Sequence, residues 1–388
     1  MTTAPRLVVL ADDRTGANET AGSCAELGCG SVPVVAWQSI ETVSRLRDPV
    51  IVLDLESRHL DRSEAAARVD IARRVVEAID GGVRVAHKID STLRGNWASE
   101  IVASQRRSGA AVIVVPAFPA AGRTCHDGIV FDHGVPVSDG PMRLDPRQPV
   151  LSSDPGVHLR GVGAVGVVSI RSADELHEWA EAASGGIGIA VCDATTDADV
   201  SSLARAWAQH PNALFAGTAA SVAAAARCLI GHVRPSTGAR PPLPLAGPVL
   251  VVCGSLHPTA RRQLAFLGER TAELPGRPVD CITTSIPESA GVPAEDADPQ
   301  AKLLADAALS AIAQRRYETI IVLGGDTASA LLGDEPMVVH GLLAPGVAWG
   351  NRHHAVFVTR PGGFGDDAAL ADLVVAHDGT VRAAESGR

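Results

Sequence analysis

The sequence predicts an α/β protein of two domains, each a mostly parallel sheet flanked by helices, with a cleft between the domains. Three observations carry this. Short, continuous apolar runs such as Arg6–Ala11 and Ala110–Val115 read as strands buried on both faces, since a strand wet on one side would alternate. These runs alternate with stretches of helical period, the pattern of parallel sheets with helices on their faces. A Pro/Gly-rich segment, 233–247, breaks the rhythm once, in a chain whose 388 residues suffice for two cores. The expected domains are therefore 1–232 and 248–388, joined by that linker.

In the first domain, strand Arg6–Ala11 runs into the turn Asp12-Asp13-Arg14-Thr15-Gly16, and a helix follows to about Leu27, weakened at Gly22. Val32–Ala36 and Pro49–Leu53 are further strands. Asp61 or Ser63 opens a helix to Ile79, with Ser63 as a fitting N-cap. Val83–Ile89 is a strand and Trp97–Arg106 a helix. After strand Ala110–Val115, residues 125–160 read as an excursion of short strands and loops with a turn at Gly134–Pro136. Strands then resume at Gly166–Ile170, Ile187–Cys192 and Ala213–Ala216. Each precedes a helix: Ser172–Ala183, with Glu175 completing a capping box, then Asp197–Gln209 and Thr218–Leu229. In the second domain Pro248–Cys253, Thr319–Leu323 and Ala355–Thr359 are the clearest strands, and Ala301–Ala313 and Asp366–Ala376 the clearest helices.

A net charge of −10 with 3% aromatic residues argues against nucleic acid or an anionic membrane as partner. No apolar run spans a bilayer, and the stretch Leu7–Ala11 is too short for a signal-peptide core. Seven cysteines, an odd number without paired metal spacing, suit a reduced, cytoplasmic protein. No HExxH, CxxC pair or GxSxG elbow is present, so zinc-hydrolase and α/β-hydrolase chemistry lose support. His87, His257, His353 and His354 have no partners at metal spacing and read as core or surface residues. No metal ligand is assigned.

Ligands of open α/β sheets bind outside the carboxyl ends of strands, so strand–turn–helix corners are the places to search. The richest is Lys88-Ile-Asp-Ser-Thr-Leu-Arg-Gly-Asn96. It offers two cations, Lys88 and Arg94, for a carboxylate or phosphate, Asp90 for a hydroxyl, and Asn96 among neutral groups. Lys88 and Lys302 are the only lysines beside 32 arginines, which hints that a compact ammonium is wanted at 88. Asp12 and Asp13 end a strand, and either caps a helix or accepts from a substrate hydroxyl. Ser57 and Arg58 follow strand Pro49–Leu53, and Arg123 follows Ala110–Val115. Each is equally a site residue or a surface one.

The second domain has three corners of one kind: Gly254-Ser-Leu-His257, Gly324-Gly-Asp-Thr-Ala328 and Pro361-Gly-Gly-Phe-Gly365. Glycines let backbone N–H groups approach an anion, and a following helix adds its positive end. A nucleotide phosphate chain is the natural ligand. The P-loop is excluded, because neither lysine is followed by Ser or Thr. Backbone and the hydroxyls of Ser255 and Thr327 are left to hold phosphates. Gly161–Gly166 matches the dinucleotide pattern in form, but no strand leads in and no helix follows, so it reads as a loop.

These residues resemble the four-carbon acid sugar kinase family nearly end to end. Ala11-Asp-Asp-Arg-Thr-Gly-Ala17 is similar to that family's opening, and the 88–96 stretch matches its most specific signature. Pro116–Thr124, the Gly134–Pro136 turn, Gly254-Ser255, Gly324–Thr327, Ala344-Pro-Gly346 and Pro361–Gly365 are similar to its remaining blocks. The resemblance implies an ATP-dependent kinase acting with Mg²⁺ on the terminal hydroxyl of threonate, erythronate, a 3-oxo-tetronate or a related small acid. It places the acid in the first domain, on Asp12, Asp13, Lys88, Asp90, Arg94 and Asn96, and Arg14, Ser57, Arg58 and Arg123 join them as candidates beside these corners. It places ATP in the second, on Ser255, Gly325, Asp326, Thr327, Ala328 and Gly362 or Gly363, with Gly324 and Gly346 as further candidates in the glycine motifs. Arg14 stands where the family has an apolar residue, Glu19 where Asp is common and His87 where Lys is common.

The expected chemistry is in-line phosphoryl transfer, mostly positioning and charge stabilisation. Arg94, with Lys88, clamps the carboxylate, and Asp13 or Asp90 orients the hydroxyl. The rival readings are a non-catalytic sensor of a sugar acid or nucleotide, a nicotinamide-dependent dehydrogenase, and a ribokinase-type sugar kinase. The sequence leaves a homo-oligomer open.

Overall fold

Runs of Val, Ile and Leu that water would penalise become fully buried strands, and those strands set the frame. The computed structural model describes residues 6–79, 81–145, 147–182, 188–231, 240–241, 245–272, 278–284 and 297–375. The chain divides into two units, residues 1–238 with 332–351, and residues 239–331 with 352–388.

The first unit begins with β1 (Leu7–Ala11), α1 (Arg14–Cys24), β2 (Val32–Ala36), β3 (Val50–Asp54), α2 (Arg62–Glu77), β4 (Arg84–Lys88), α3 (Trp97–Ser108) and β5 (Val112–Val115). The excursion 125–160 holds a three-stranded antiparallel sheet, β6 (Arg123–His126), β7 (Ile129–Asp132) and β8 (Val135–Pro136), and α4 (Pro155–Gly161). Then come β9 (Val167–Ile170), α5 (Ala173–Ala182), β10 (Ile189–Cys192), α6 (Asp197–Ala208), β11 (Leu214–Gly217) and α7 (Ala219–Ile230). The second unit contributes β12 (Val249–Cys253), α8 (Pro258–Ala272), β13 (Val279–Thr283), α9 (Ala297–Gln314), β14 (Thr319–Leu323) and α10 (Gly325–Leu332). The hairpin β15 (Met337–Ala344) and β16 (Val347–Arg352) follows, then β17 (Ala355–Arg360) and α11 (Ala371–Val374).

Within the first unit the strand order is β16-β15-β2-β3-β1-β4-β11-β5-β10-β9. All pairs from β2 onward are parallel, while β15 runs antiparallel to β2 and to β16. The chain leaves β1 towards β3 on one side and later returns to β4 on the other. That makes the β1/β4 crevice a topological switch point, where such sheets bind ligands. Ala11 stands opposite both Asp54 and Lys88, so the loops after β1, β3 and β4 leave the sheet at one level. In the second unit the order β13-β12-β14-β17 is wholly parallel, and Cys253, Leu323 and Arg360 lie side by side.

The structure departs from the sequence reading at three places, the smallest being that Asp61 and not Ser63 is the N-cap of α2. The hairpin within 332–351, assigned by sequence to the back half, groups with the first unit, because β15 pairs with β2 and packs on α1. Leu342 N–H donates to Glu26 Oε1 at 3.0 Å, and Gly22 of α1 faces Leu342. The helix expected at Asp366–Ala376 is described only over Ala371–Val374. Asp366 folds the preceding residues into a turn, accepting the Ala368 N–H on its side chain and the Ala369 N–H on its carbonyl. Most of the linker 233–247 lies outside the described residues. No described helix is long and apolar enough to cross a membrane.

The α1–β15 contact carries a stability expectation. Alanine at position 22 would gain about 1 kcal/mol of helix propensity. Its Cβ, however, would lie 2.5 Å from Leu342 Cδ2 and 2.9 Å from the Gly341 carbonyl oxygen, and overpacking of that kind costs about 1–3 kcal/mol. Gly22→Ala is therefore expected to lower the urea midpoint, where an unpacked helix face would show a rise.

Candidate functional site

The loops after β1, β3 and β4 converge on one guanidinium. Arg58 reaches across from the β3 loop and pairs with Asp12 at 2.7 and 2.9 Å, with Asp13 Oδ1 at 2.8 Å and with Asp90 Oδ1 at 3.5 Å. The backbone sets up this reach. Asp54 Oδ1 accepts the Glu56 N–H, Glu56 takes a left-handed φ of 50°, and the N–H groups of Ser57 and Arg58 then donate to the Asp12 carbonyl. Burial alone would raise the pKa of Asp13, but Arg58, Lys88 and the Thr15 hydroxyl outweigh it and hold the carboxyl below its ordinary value. The same contest, won by Arg94, Arg58 and Lys88, puts Asp90 well below its own.

Asp13 is also the N-cap of α1, accepting from Gly16 N–H at 3.1 Å and from the Thr15 hydroxyl at 2.6 Å. Asp90 Oδ2 accepts the Thr92 and Arg94 N–H groups, the Thr92 hydroxyl and Arg94 Nε, so this carboxylate is saturated. Arg94 grips Asp90 with two nitrogens at 3.0 and 3.1 Å and reaches Asp145 at 3.4 Å, leaving the guanidinium half-buried. Lys88 is almost wholly buried, and a Cβ on Gly16 would come within 2.7 Å of its ammonium. Among the described residues that ammonium makes no direct hydrogen bond. It sits in the field of Asp13 and Asp90, ready for an anionic or hydroxyl ligand.

Three residues placed in the acid site from sequence serve the frame instead. Arg14 is fully buried and pairs with Asp54 at 2.7 Å, and its Nη2 donates to the Gly333 carbonyl, so it ties β3 and the 332–351 segment to α1. It is therefore no second cation for a substrate, because a buried carboxylate beside it already takes the charge. Ser57 spends its hydroxyl on Glu100 at 2.6 Å. Asn96 spends its amide N–H groups on the carbonyls of Ser57 and Leu60. Arg123 bonds the Ala121 carbonyl and pairs with Asp132 at 3.3 Å, and its charge is felt at Glu19 on α1.

The sequence reading missed Glu100, and it marked Glu19 only as a departure from the family without giving it a place in the site. Glu100 lies under Ser57, and burial, then the Asp12 charge, raises its pKa to about 8. It stands on the buried stripe of α3 with Trp97, Ile101 and Ser104, so an acid at that spacing was a readable signal. Glu19 gave no such signal, because every residue of α1 is buried.

In the second unit the three glycine corners interlock. A Cβ on Gly254 would fall 2.0 Å from Thr327 Oγ1, and one on Gly362 would fall 1.8 Å from Ser255 Oγ, so only hydrogen fits at either position. Ser255 Oγ accepts the His257 N–H at 3.2 Å, and the His257 ring lies against Gly363. Thr327 is buried, whereas Asp326 is exposed at the first turn of α10, with Gly324 and Gly325 beside it and Ala328 buried behind. Gly346 belongs elsewhere, as the turn of the β15–β16 hairpin in the first unit, with φ of 72°. A turn requirement explains that glycine without a nucleotide.

Among the described residues, the single group with metal-ligating atoms in mutual reach is His126, Asp127 and Asp193. Asp193 already accepts the N–H groups of Asp127 and Gly128 there. Asp12, Asp13 and Asp90 are likewise engaged, so no side chain is assigned to Mg²⁺.

Comparison with known proteins gives this geometry its context. Residues 7–226 match the family described as "Sugar-binding N-terminal domain". The chain is similar to a D-threonate kinase of Bordetella bronchiseptica, 30% identical over 94% of this chain and 96% of that one. It is similar to a 3-oxo-tetronate kinase of Methylobacterium radiotolerans, 28% identical over 88% and 90%. A solved Salmonella typhimurium structure shares the fold at TM-score 0.75 and 20% identity, covering 95% of this chain and 98% of that one. A Bordetella bronchiseptica domain of unknown function, crystallised with citrate as a domain-swapped dimer, aligns at TM-score 0.50 and 27% identity, over 95% and 98%.

The Arg58 hub sets a pH-dependent stability. Removing a partner from a buried charge network costs about 3–5 kcal/mol. Arg58→Met should lose that order of stability at pH 7. Asp13 and Asp90, whose folded pKa values are depressed, contribute stability above their unfolded values, and it fades as pH falls through the folded ones. The gap between wild type and variant should accordingly hold down to about pH 4 and shrink below it in denaturant titrations, whereas a purely steric role for Arg58 would leave it constant.

Proposed function

The chain belongs to the family of the sugar-binding N-terminal domain, and we propose from that premise that it is an ATP-dependent kinase of a four-carbon or related small sugar acid. The reaction class is phosphoryl transfer to an alcohol group, as the names of its kinase relatives support. The observation that carries the reading is the pair of built anion sites at sheet ends: Lys88 with Arg94 at the β1/β4 switch point, and the interlocked glycine corners after β12, β14 and β17. The citrate bound to a 27%-identical relative supports a site for a hydroxylated carboxylic acid, and its domain-swapped dimer supports a homo-oligomer.

In this proposal Arg94 and Lys88 take the substrate carboxylate. Asp13 orients the hydroxyl, because its Oδ2 accepts only the Thr15 hydroxyl and keeps a lone pair, whereas both oxygens of Asp90 are filled. Asp90 then positions Arg94. The depressed pKa of Asp13 makes it a weak base in the ground state, which suits a loose transition state in which the proton leaves late. ATP arrives as its Mg²⁺ complex. Its phosphates lie on the backbone of 324–327 and on Ser255 and Thr327, whose hydroxyls are seated against Gly362 and Gly254, with Gly363 against the His257 ring. Asp326 is exposed at the mouth of that cradle.

The test is ADP release, read through a coupled assay, against D-threonate, D-erythronate, 3-oxo-tetronates and branched five-carbon acids. Turnover with at least one is expected, and silence across all of them would contradict the reading. With the active acid, Arg94→Ala should raise KM about 10- to 100-fold with a smaller change in kcat, the loss of a charge-assisted bond made in both ground and transition states. Unchanged kinetics would remove Arg94 from the site.

A further inference from the structure

Glu19 sits where neither the fold nor the mechanism above accounts for it. It lies on α1, is 7% exposed, and its Oε1 has no hydrogen-bond partner among the described residues. An unpaired polar atom buried this deeply costs free energy unless something absent from the protein satisfies it. The groups acting on it define where it is. Lys88 comes from the end of β4, Asp13 from the end of β1, Asp90 from the turn after β4, and Arg123 from β6. The other elements packed on α1 carry charges that are answered elsewhere. On β3 Asp54 pairs with Arg14, and in the turn 25–29 Glu26 accepts the Leu342 N–H beside Cys29. On α7 the ionisable groups are Arg227, which acts on Cys29, and Cys228, and on β15 the single one is His340, bonded to Ser31 Oγ. Glu19 thus faces the same ammonium that makes no direct hydrogen bond among the described residues.

Charge counting favours its neutral form. Arg58, Lys88 and Arg94 stand among Asp12, Asp13, Asp90 and Asp145, the last paired with Arg94, and Arg123 is answered by Asp132. A bound sugar acid adds one negative charge to a set that already has no cation in excess. An ionised Glu19 would add a second, in a buried place with no cation to spare. We propose that Glu19 is a substrate-binding residue that acts as a neutral carboxylic acid, donating its O–H to an oxygen of the bound sugar acid. This inference rests on the sugar-acid reading of the β1/β4 site. Burial foremost, with Asp13 and Asp90 adding to it and Lys88 opposing, holds the Glu19 pKa up at about 7, so about half of the molecules still carry the proton at neutrality and most do at pH 6.

The sign follows. A form competent only when protonated loses affinity as pH rises through that value, about tenfold between pH 6 and pH 8 for a group titrating near 7. Calorimetric titration of the full chain with D-threonate at pH 6, 7 and 8 reads this directly. The wild type should weaken about tenfold over the range. Glu19→Gln keeps a neutral donor, so it should bind with an affinity flat in pH. Glu19→Ala should bind more weakly at every pH. Retention of the full pH dependence in Glu19→Gln would overturn the role of Glu19 while leaving the acid site standing. Failure of the wild type to bind D-threonate, D-erythronate or a 3-oxo-tetronate would overturn the site itself. A ligand-free readout separates the two: the ¹³C carboxyl resonance absent from Glu19→Gln should titrate near 7, and a midpoint below 5 would refute the neutral acid outright.

Discussion

One guanidinium holds three corners of the first unit together. Arg58 enters from the loop after β3 and binds Asp12 and Asp13 from the end of β1 and Asp90 from the turn after β4. Parallel strands bring their carboxyl ends to a common edge, but they do not specify how the loops beyond them are arranged. Here that arrangement is electrostatic. Each carboxylate on its own would be costly to bury, and one delocalised cation shared by all three, with Lys88 and Arg94 beside it, offsets that cost only while the loops keep one geometry. Lys88 is then left in a field of carboxylates with no direct bond among the described residues, which is the condition for gripping a ligand.

The second unit solves the same problem without charge. Its three corners are locked by the absence of side chains, since Thr327 occupies the space of a Gly254 Cβ and Ser255 that of a Gly362 Cβ. Such packing fixes the hydroxyls of Ser255 and Thr327 at the strand ends, which suits an anion whose charge is spread along a chain. A localised carboxylate calls for cations, whereas a polyphosphate carried with Mg²⁺ is served by many small dipoles. The two units therefore differ in the way a sugar acid and a nucleotide differ.

Much of this was legible in the sequence, and the reasons are physical. Continuous apolar runs marked the buried parallel strands, and the register of the sheet put the marked corners at one level, because strands of similar length in parallel pairing end together. Asp12, Asp13, Arg58, Lys88, Asp90 and Arg94 were nominated by residue type and converge. What sequence withheld was which polar groups face each other. Arg14 follows Asp13 directly, yet the helix turns it onto Asp54, and Asn96 points its amide at the loop it braces. The hairpin of β15 and β16 was assigned to the wrong unit because its pairing with β2 spans some 300 residues of chain, and no local pattern encodes such a partner. Glu19 stood out as a departure from the family, but its role stayed hidden because α1 has no exposed face to contrast with a buried one.

A crystal structure of the protein with D-threonate and ADP–Mg²⁺ would test the central claim most directly. The account predicts the acid's carboxylate on Lys88 and Arg94, with Arg58 still bound to its three aspartates, and the diphosphate on the backbone of 324–327. An acid bound away from Lys88, or a nucleotide whose phosphates avoid all three glycine corners, would contradict it.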